Sequence, residues 1–340
     1  SFLSIKNDRK TKGQVCNEKR KRKSAAGICK GCKRQKIQKD ESRACLCLAN
    51  GILVQSVFVI PLIIIVAYSF MKRDVYGSVI AEFSLKAYKQ MFTPAYGIIF
   101  LRTLWITALS TFITILIALP CGYAMARSRR QTLLLILIII PFLTNSLIRI
   151  FAWITILGDN GILNMFLGSI VNFWHKITGN PAEFEPVKFM YTKGAVIILS
   201  IYMYLPYAIL PIFTAVDRFD FSLLEAARDL GATKPQSMLK VLLPGIRSGI
   251  ISALIFTFIP IFGSYTVPNI VGGKDSYMIG NIIVDQVQKT RNWPLASAFS
   301  MILTLLSMAG ILWMLYSSKK DAELKKVSTK EDTTGIGGAK

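Results

Sequence analysis

Long apolar stretches separated by short polar segments run from about residue 48 to residue 316. A transmembrane helix needs about 20 mostly apolar residues, and six stretches meet this requirement. Several contain prolines, which packed membrane helices tolerate because neighbouring groups satisfy the freed backbone carbonyls. The pattern therefore predicts an all-α polytopic membrane protein with six transmembrane helices. They are expected at approximately residues 48–70, 98–126, 132–157, 194–216, 246–271 and 294–316.

Composition supports one membrane domain rather than two soluble ones. Apolar residues of the AVILMFWYC set make up 52% of the 340 residues, whereas charged residues make up 18%. A soluble protein of this length carries more charge. Residues 48–316 are therefore predicted to form one six-span domain. Residues 1–47 and 317–340 flank it as tails, and the first tail lacks apolar periodicity and is predicted to be disordered.

The positive charge predicts the orientation of the chain in the membrane. The formal net charge is +22, and the basic tail carries half of it. Six spans place both termini on the same side. If that side is the cytoplasm, the cytoplasmic segments contain 29 Lys and Arg and the opposite loops contain 10. The positive-inside rule therefore predicts cytoplasmic termini and a cytoplasmic loop at 217–245.

The first part of that loop is predicted to form a short helix. Ser222 stands where an N-cap is expected, and Glu225 three residues later completes a capping-box pattern. Gly231 is typical of a residue that ends a helix. Between them, apolar residues recur at a spacing that predicts one apolar face. Its members are Leu223, Leu224, Ala227 and Leu230.

The second part of the loop is predicted to form another helix, from Pro235 to about Leu243. Proline is favoured at the first position of a helix because its missing N–H has no partner there. Pro244 and Gly245 are expected to end this helix before the next span. The loop thus predicts a helix–turn–helix outside the membrane, in which small residues permit close approach of another surface.

Fixed spacings in this loop resemble a known family. Glu225-Ala226-Ala227 is followed after three residues by Gly231 and after nine more by Val241-Leu242-Leu243-Pro244. This pattern resembles the EAA loop of binding-protein-dependent ABC importer permeases, with Val241 in place of the family's isoleucine. The resemblance implies a type I ABC importer permease fold. It also implies that the loop couples to an ATPase through Glu225, Ala226, Ala227, Gly231, Leu243 and Pro244.

Further segments resemble the spermidine/putrescine permeases, in particular the first of the two permease subunits of such transporters. They include residues 141–149 with Trp153, residues 226–232, and Arg291-Asn292-Trp293-Pro294. This resemblance implies a polyamine importer in a bacterial cell membrane. The implied partners are a cytoplasmic ABC ATPase dimer, a second permease subunit that completes a heterodimer, an extracytoplasmic polyamine-binding protein and membrane lipid.

The chain itself is predicted to be non-catalytic and to bind no cofactor. It lacks the G-x-x-x-x-G-K-[ST] phosphate loop, so ATP and magnesium are expected on the partner ATPase. It contains one histidine, His175, and few intramembrane acids, which disfavours a proton-coupled pump. No metal site is predicted. The Cys29–Cys32 pair could represent half a zinc site, but an ordinary solvated tail is the favoured interpretation.

Five residues are candidates for the translocation pathway or its gate. Carbonyls, carboxylates and aromatic faces suit a polycation such as a polyamine. An ionisable residue within a span, such as Arg149, is a functional candidate by default, although its charge would repel a cation. Arg149 is therefore expected to order helices or an outer gate, and the tyrosines could equally form a packing belt. The candidates are Asn145, Arg149, Trp153, Tyr202 and Tyr207.

Two other functions are consistent with parts of the sequence. The same ABC machinery could import another small solute, such as an amino acid or an inorganic anion. Alternatively, the basic tail could make the protein a membrane-anchored binder of nucleic acid or anionic lipid. Positive-inside orientation already explains much of the charge, so nucleic acid is not a predicted partner.

Overall fold

The computed structural model describes residues 55–57, 59–74, 77, 79–178 and 185–335, with side chains described outside 172–178 and 318–335. The chain divides into two units, Ser1–Ile64 and Ile65–Lys340. The predicted tail at 1–47, including Cys29 and Cys32, lies outside the described residues. In the first unit, the structure describes the beginning of an apolar helix, α1 (Gln55–Ser69), except for residue 58.

The second unit is mostly helical. Its first half contains β1 (Met71–Arg73), β2 (Val79–Phe83), α2 (Lys86–Met91), α3 (Pro94–Arg127), α4 (Gln131–Leu143), α5 (Ser146–Leu157) and α6 (Ile162–Thr178). Its second half contains α7 (Lys193–Asp217), α8 (Ser222–Asp229), α9 (Lys234–Ser237), a π-helical turn (Met238–Leu242), α10 (Leu243–Gly245), α11 (Arg247–Phe262), α12 (Thr266–Ile270), a 3₁₀ turn (Lys274–Ser276), α13 (Ile279–Gln288) and α14 (Trp293–Gly335).

Three predicted spans correspond to single long helices, α3, α7 and the first part of α14. Four helices of the described region are long and apolar enough to cross a membrane, namely these three and the segment Ser146–Val171. The pair Lys234–Gly245 and Arg247–Phe262 would make a fifth, bent by 71°. The helical, membrane-spanning fold is confirmed, whereas the count of six is not.

The predicted single span at 132–157 is wrong, because the chain breaks between α4 and α5. Thr144 is extended, with ψ of 153°, and ends α4. The Asn145 side chain accepts a hydrogen bond from the backbone N–H of Leu147 at 2.8 Å and so begins a new helix. Asparagine favours such capping positions over helix interiors, which explains the break inside a continuous apolar run.

The fifth predicted span, 246–271, is also interrupted. Helix α11 ends at Phe262, and the short helix α12 follows after Gly263, Ser264 and Tyr265. A two-stranded hairpin, β1 with β2, also forms in the region where the sequence predicts a plain loop. Lys72 and Glu82 form an ion pair across it at 2.9 Å.

Close packing of α3, α7 and α11 forms the centre of the second unit. A Cβ atom added at Gly249 of α11 would lie 2.3 Å from the Ala215 Cβ atom of α7. A Cβ atom at Gly122 of α3 would lie 2.8 Å from Ile212 Cγ2 of α7. Membrane helices use such small residues to bring their backbones close enough for extensive van der Waals contact. These glycines therefore hold the helices on which the loop at 217–245 is mounted.

Candidate functional site

The loop at 217–245 begins with a helix whose first residue is hydrogen-bonded to an aspartate. Helix α8 begins at Ser222, and the Asp220 carboxylate accepts the Ser222 backbone N–H at 3.0 Å. This hydrogen bond lowers the pKa of Asp220 below its ordinary value. The predicted capping box of Ser222 and Glu225 is wrong, because Ser222 lies within the helix and Asp220 supplies the side-chain oxygen.

Gly231 ends the first helical segment, as the sequence predicts. Its φ is +88°, which favours glycine because a Cβ atom is strained there. The Gly231 N–H donates to the Arg228 carbonyl at 2.9 Å, and the Ala232 N–H donates to the Ala227 carbonyl at 3.1 Å. No described atom lies within 4 Å of a Cβ added at Gly231, so the turn is open to its surroundings.

The second helical segment starts one residue before the predicted position and continues past Pro244. The Thr233 N–H donates to the Gln236 side chain at 3.0 Å, and the helix runs from Lys234 to Gly245. The prediction that Pro244 and Gly245 end it before the next span is confirmed, because the helix stops at Gly245 and α11 begins at Arg247. The π-helical turn shifts the hydrogen-bond pattern, so that the Leu243 N–H donates to the Met238 carbonyl just before the proline. The sharp bend follows at Ile246.

Aromatic side chains join the two ends of the loop and attach it to the transmembrane helices. A Cβ added at Gly245 would lie 2.3 Å from Phe219 Cε2, so the Phe219 ring lies directly against the backbone at the end of the loop. The Phe221 ring packs edge-on to Phe219, at 5.9 Å between centroids. The Arg127 guanidinium of α3 lies over the Phe221 ring at 5.0 Å. The loop is therefore closed on itself and fastened to α3.

One face of the loop is buried against the bundle and the other is exposed. Leu224, Leu242 and Ile246 are buried in the core at this end of α3, α7 and α11. Leu230 is 90% exposed and Leu223 is 51% exposed, so the predicted apolar stripe does not form one buried face. Glu225 and Ala226 are exposed as well, Leu243 is half-buried and Pro244 is exposed. Exposed leucines on a closed helical loop are typical of an interaction surface.

A groove runs beside the loop between α7 and α11. Its volume is about 990 Å³. Apolar side chains alternate with the hydroxyls of Thr214, Ser248 and Ser252, and Arg218 and Asp220 lie toward the loop. The lining residues are Tyr207, Leu210, Pro211, Thr214, Ala215, Arg218, Phe219, Asp220, Leu223, Gly245, Ser248, Gly249, Ser252 and Phe256.

Aromatic contacts bring four of the five pathway candidates together in pairs. Phe142 contacts both Arg149, whose guanidinium lies 5.5 Å from its ring centroid, and Tyr207, whose ring packs edge-on at 4.9 Å. Trp153 contacts Tyr202, with ring centroids 5.2 Å apart. These contacts link α4 and α5 to α7. Asn145 differs, because its side chain caps α5.

Tyr207 is the pathway candidate that lines the groove, and its side chain is 39% exposed. Arg149 is half-buried, and its Nε atom has no hydrogen-bond partner among the described residues. A guanidinium over an aromatic face gains electrostatic stabilisation that partly offsets its desolvation. Arg149 of α5 thus contacts Phe142 of α4, which in turn contacts Tyr207 of α7.

Sequence reasoning missed the residues that close the loop. Phe219 and Phe221 lie in the segment just before α8 and show no distinctive pattern in the sequence. Their contacts with Gly245 and Arg127 join positions far apart in the chain. One available signal was Gly245 itself, since glycine often marks close backbone approach. Phe142 was also missed, because its two contacts depend on the break between α4 and α5.

Comparison with known proteins places the chain in a family. Residues 111–320 match the model of the binding-protein-dependent transport system inner membrane component. The chain is 35% identical over 263 residues to a spermidine/putrescine transport system permease protein of Haemophilus influenzae, covering 77% of this chain and 88% of that protein. It is 34% identical over 268 residues to the Escherichia coli protein of the same description, covering 78% and 93%.

Structural comparison agrees on the fold. A bacterial ABC transporter involved in the import of the acidic polysaccharide alginate matches with a TM-score of 0.62 at 16% identity, covering 84% of this chain and 99% of the matched chain. Members of the matched family are transmembrane permease subunits, and a separate ATPase hydrolyses the ATP. The chain therefore belongs to the binding-protein-dependent transport system inner membrane component family and is a non-catalytic, multi-pass permease subunit of a bacterial ABC importer.

Proposed function

We propose that this chain forms half of the translocation pathway of an ATP-driven polyamine importer, with the loop at 217–245 docked on a cytoplasmic ATPase dimer. The loop supports the docking role because its exposed leucines and Glu225 lie on a helical segment closed by the Phe219–Gly245 contact. The two spermidine/putrescine permease relatives, matched over most of their length, support the substrate class.

The contacts of the loop suit it to transmit movement. Leu224 and Leu242 are buried against the transmembrane helices, and Gly249 holds α11 against α7. Because interfaces and packed cores shift between discrete arrangements rather than deform continuously, closure of the ATPase dimer would move the loop and the ends of these helices together. Glu225, Ala226, Ala227 and Gly231 are the proposed contact residues, with Leu243 and Pro244 supporting the second helical segment.

The proposed assembly follows from a cytoplasmic position of the loop at 217–245. The loop and both termini lie in the cytoplasm, and a second permease subunit completes the pathway as a heterodimer. An extracytoplasmic polyamine-binding protein delivers the substrate at the opposite end of the bundle. ATP and magnesium bind to the ATPase, and no cofactor binds to this chain.

The groove between α7 and α11 is the part of this chain that suits the pathway. Tyr207 offers a ring face, while Thr214, Ser248 and Ser252 offer hydroxyl oxygens that can accept hydrogen bonds from ammonium groups. Asp220 offers a carboxylate near the loop. Arg149, Trp153 and Tyr202 are the proposed gate residues, which position α5 against α7, and Asn145 sets the start of α5.

Reconstituted transport tests the proposal. The chain is assembled in proteoliposomes with its ATPase, the second permease and the binding protein, and uptake of labelled putrescine and spermidine is measured with ATP and with a non-hydrolysable analogue. We expect uptake that requires hydrolysable ATP. The alternative, another small solute, is measured in parallel with an amino acid and inorganic phosphate. ATP-dependent uptake of either of these without uptake of a polyamine would refute the assigned substrate class.

A further inference from the structure

A tyrosine, an aspartate and a lysine meet at the end of the bundle remote from the loop at 217–245. The Tyr277 hydroxyl donates a hydrogen bond to the Asp285 carboxylate. The Lys289 ammonium nitrogen lies 2.9 Å from the other Asp285 oxygen. The Asp285 side chain is 23% exposed and that of Lys289 is 72% exposed. The carboxylate is therefore reachable, and its cationic partner extends from the surface.

Two more tyrosines interact with Tyr277. Tyr96 and Tyr265 both lie close enough to Tyr277 to interact with it electrostatically. The Tyr96 ring packs edge-on to Phe299 at 5.2 Å, and the Tyr265 hydroxyl accepts a hydrogen bond from Asn269 at 3.3 Å. Both residues are thus held in place by neighbours other than Asp285, and both influence Tyr277, the phenol that contacts the carboxylate.

The charge states of the pair at neutral pH follow from their surroundings. Burial raises the pKa of Tyr277 above its ordinary value, and the hydrogen bond to Asp285 raises it further. Burial on its own would raise the pKa of Asp285, but the hydrogen bonds from Tyr277 and Lys289 outweigh it and lower that pKa. Asp285 is consequently a carboxylate and Tyr277 a neutral donor.

The cluster already holds a primary ammonium group, that of Lys289. An ion pair with an exposed lysine contributes little to stability, because the lysine remains well hydrated when released. Exchange of this ammonium for another is therefore inexpensive. We propose that Tyr277 and Asp285, with Tyr96 and Tyr265 acting on Tyr277, form a binding site for an ammonium group of a polyamine, and that Lys289 occupies the site until the substrate displaces it.

The position of the site fits the route of such a substrate. Helices α7 and α11 connect the loop at 217–245 with the region that contains Tyr265, so the site lies at the other end of the bundle. In the orientation proposed above, that end faces the compartment from which the substrate arrives. The inference rests on the proposed function for the identity of the ligand, and on the Tyr277–Asp285–Lys289 geometry for the site.

Two substitutions with opposite expected effects test the site. In the complete reconstituted transporter, Asp285→Asn should raise the KM for spermidine about tenfold, since a charge-assisted hydrogen bond is lost. Lys289→Met should lower the KM about threefold, because the resident competitor is removed. Asp275→Asn, in the 3₁₀ turn before α13 and outside the cluster, is the control and should leave the KM unchanged. Thermal unfolding of each purified complex verifies that it remains assembled.

The outcomes separate the site from the proposed function. If Asp285→Asn and Lys289→Met both lower the maximal rate at constant KM, the ion pair is structural and the site is refuted. If the parent transporter takes up no polyamine, the proposed function fails. Equilibrium binding of labelled spermidine to the same purified complex then decides the site, because binding must weaken in Asp285→Asn and strengthen in Lys289→Met, and any other result overturns it.

Discussion

The two ends of the helical bundle are stabilised by different chemistry. At the loop end, rings and glycines predominate, with Phe219 against Gly245 and Phe221 beneath Arg127. At the opposite end, charged and hydroxyl groups predominate, with the Tyr277–Asp285–Lys289 cluster and an Arg73 hydrogen bond to the Thr290 carbonyl at 2.5 Å. One end thus presents apolar side chains on a closed frame, and the other presents exchangeable polar groups.

This difference matches two kinds of partner. A surface that must move with another protein benefits from apolar contact and from packing that resists deformation. A surface that handles small cations benefits from carboxylates and ring faces whose partners exchange readily. The comparison predicts that substitutions at the loop end disrupt assembly, whereas polar substitutions at the other end change substrate handling.

The largest expected effect comes from placing charge on the exposed loop surface. Leu230→Asp should reduce co-purification of the ATPase and reduce ATP-dependent uptake at least about tenfold. Loss of an interface leucine together with burial of an unpaired charge weakens binding by about 2 kcal/mol or more. Glu225→Lys should act in the same direction. Pull-down from detergent-solubilised membranes and uptake in proteoliposomes provide the measurements.

Glu185→Lys is the matched control for that experiment, since Glu185 is exposed in the connection that precedes α7 at the opposite end. Its ATPase content and uptake should equal those of the parent protein. Normal assembly of Leu230→Asp and Glu225→Lys with the ATPase would contradict the docking role of the loop.

Substitutions of close-packed glycines should have an intermediate effect, on stability. Gly249→Ala places a Cβ 2.3 Å from Ala215 Cβ, and Gly280→Ala places one 2.5 Å from the Ser264 carbonyl oxygen. We expect each to destabilise the protein by about 1–3 kcal/mol, because well-packed cores tolerate added atoms poorly. Thermal unfolding in detergent gives the measurement.

Gly310→Ala supplies the control, because no described atom lies within 4 Å of its added Cβ. It should leave the thermal unfolding midpoint unchanged or raise it slightly, since alanine stabilises a helix by about 1 kcal/mol relative to glycine. Gly280→Ala should cost more than Gly249→Ala, because three backbone atoms of Gly263 and Ser264 lie within 2.8 Å of its added Cβ, whereas only Ala215 Cβ lies that close at Gly249. The reverse order would show that α7 and α11 are the less adaptable pair.

The smallest expected effect is a difference in how the stability of variants at the two ends depends on salt concentration. Arg127→Met removes the cation–π contact with Phe221 and should destabilise the protein by about 0.5–1 kcal/mol at any ionic strength. Lys72→Met removes an exposed ion pair and should cost about 0.5 kcal/mol at low salt and nothing at high salt. Unfolding midpoints at about 0.05 and 0.5 M NaCl test this difference. Equal salt dependence of the unfolding midpoint in both variants would contradict the proposed difference in chemistry between the two ends.

Several elements could be predicted because their causes are local. The apolar runs of α3 and α7 end at Arg127 and Asp217, within one residue of their predicted ends. Burying a charged side chain in the apolar membrane interior is costly, so a charged residue marks the end of a span. Gly231 was predictable as a helix end because the left-handed conformation favours glycine wherever it occurs. The loop motif is likewise a local pattern with fixed spacing.

Other features were missed because their causes lie between distant segments or between competing local signals. The apolar run from 132 to 157 conceals the break at Thr144, where Asn145 capping competes with helix continuation. The helix end at Pro244 and Gly245 was predicted correctly, but the π-helical turn that precedes it was missed. The pairing of β1 with β2 was missed, and the contact between the two candidates Trp153 and Tyr202 was missed as well, because it joins α5 to α7 across a distance in the chain.

The sequence by itself determined the class of the protein and its family, since hydrophobic length, charge asymmetry and motif spacing are properties of the chain. The tertiary structure decided which surfaces are available. It buried Leu224 and exposed Leu230 within one apolar stripe, closed the loop with Phe219 against Gly245, and brought Tyr277 to Asp285. Exposure and long-range contact depend on which segments pack together. That packing is determined by the free energy of all contacts in the core, not by any one stretch of sequence.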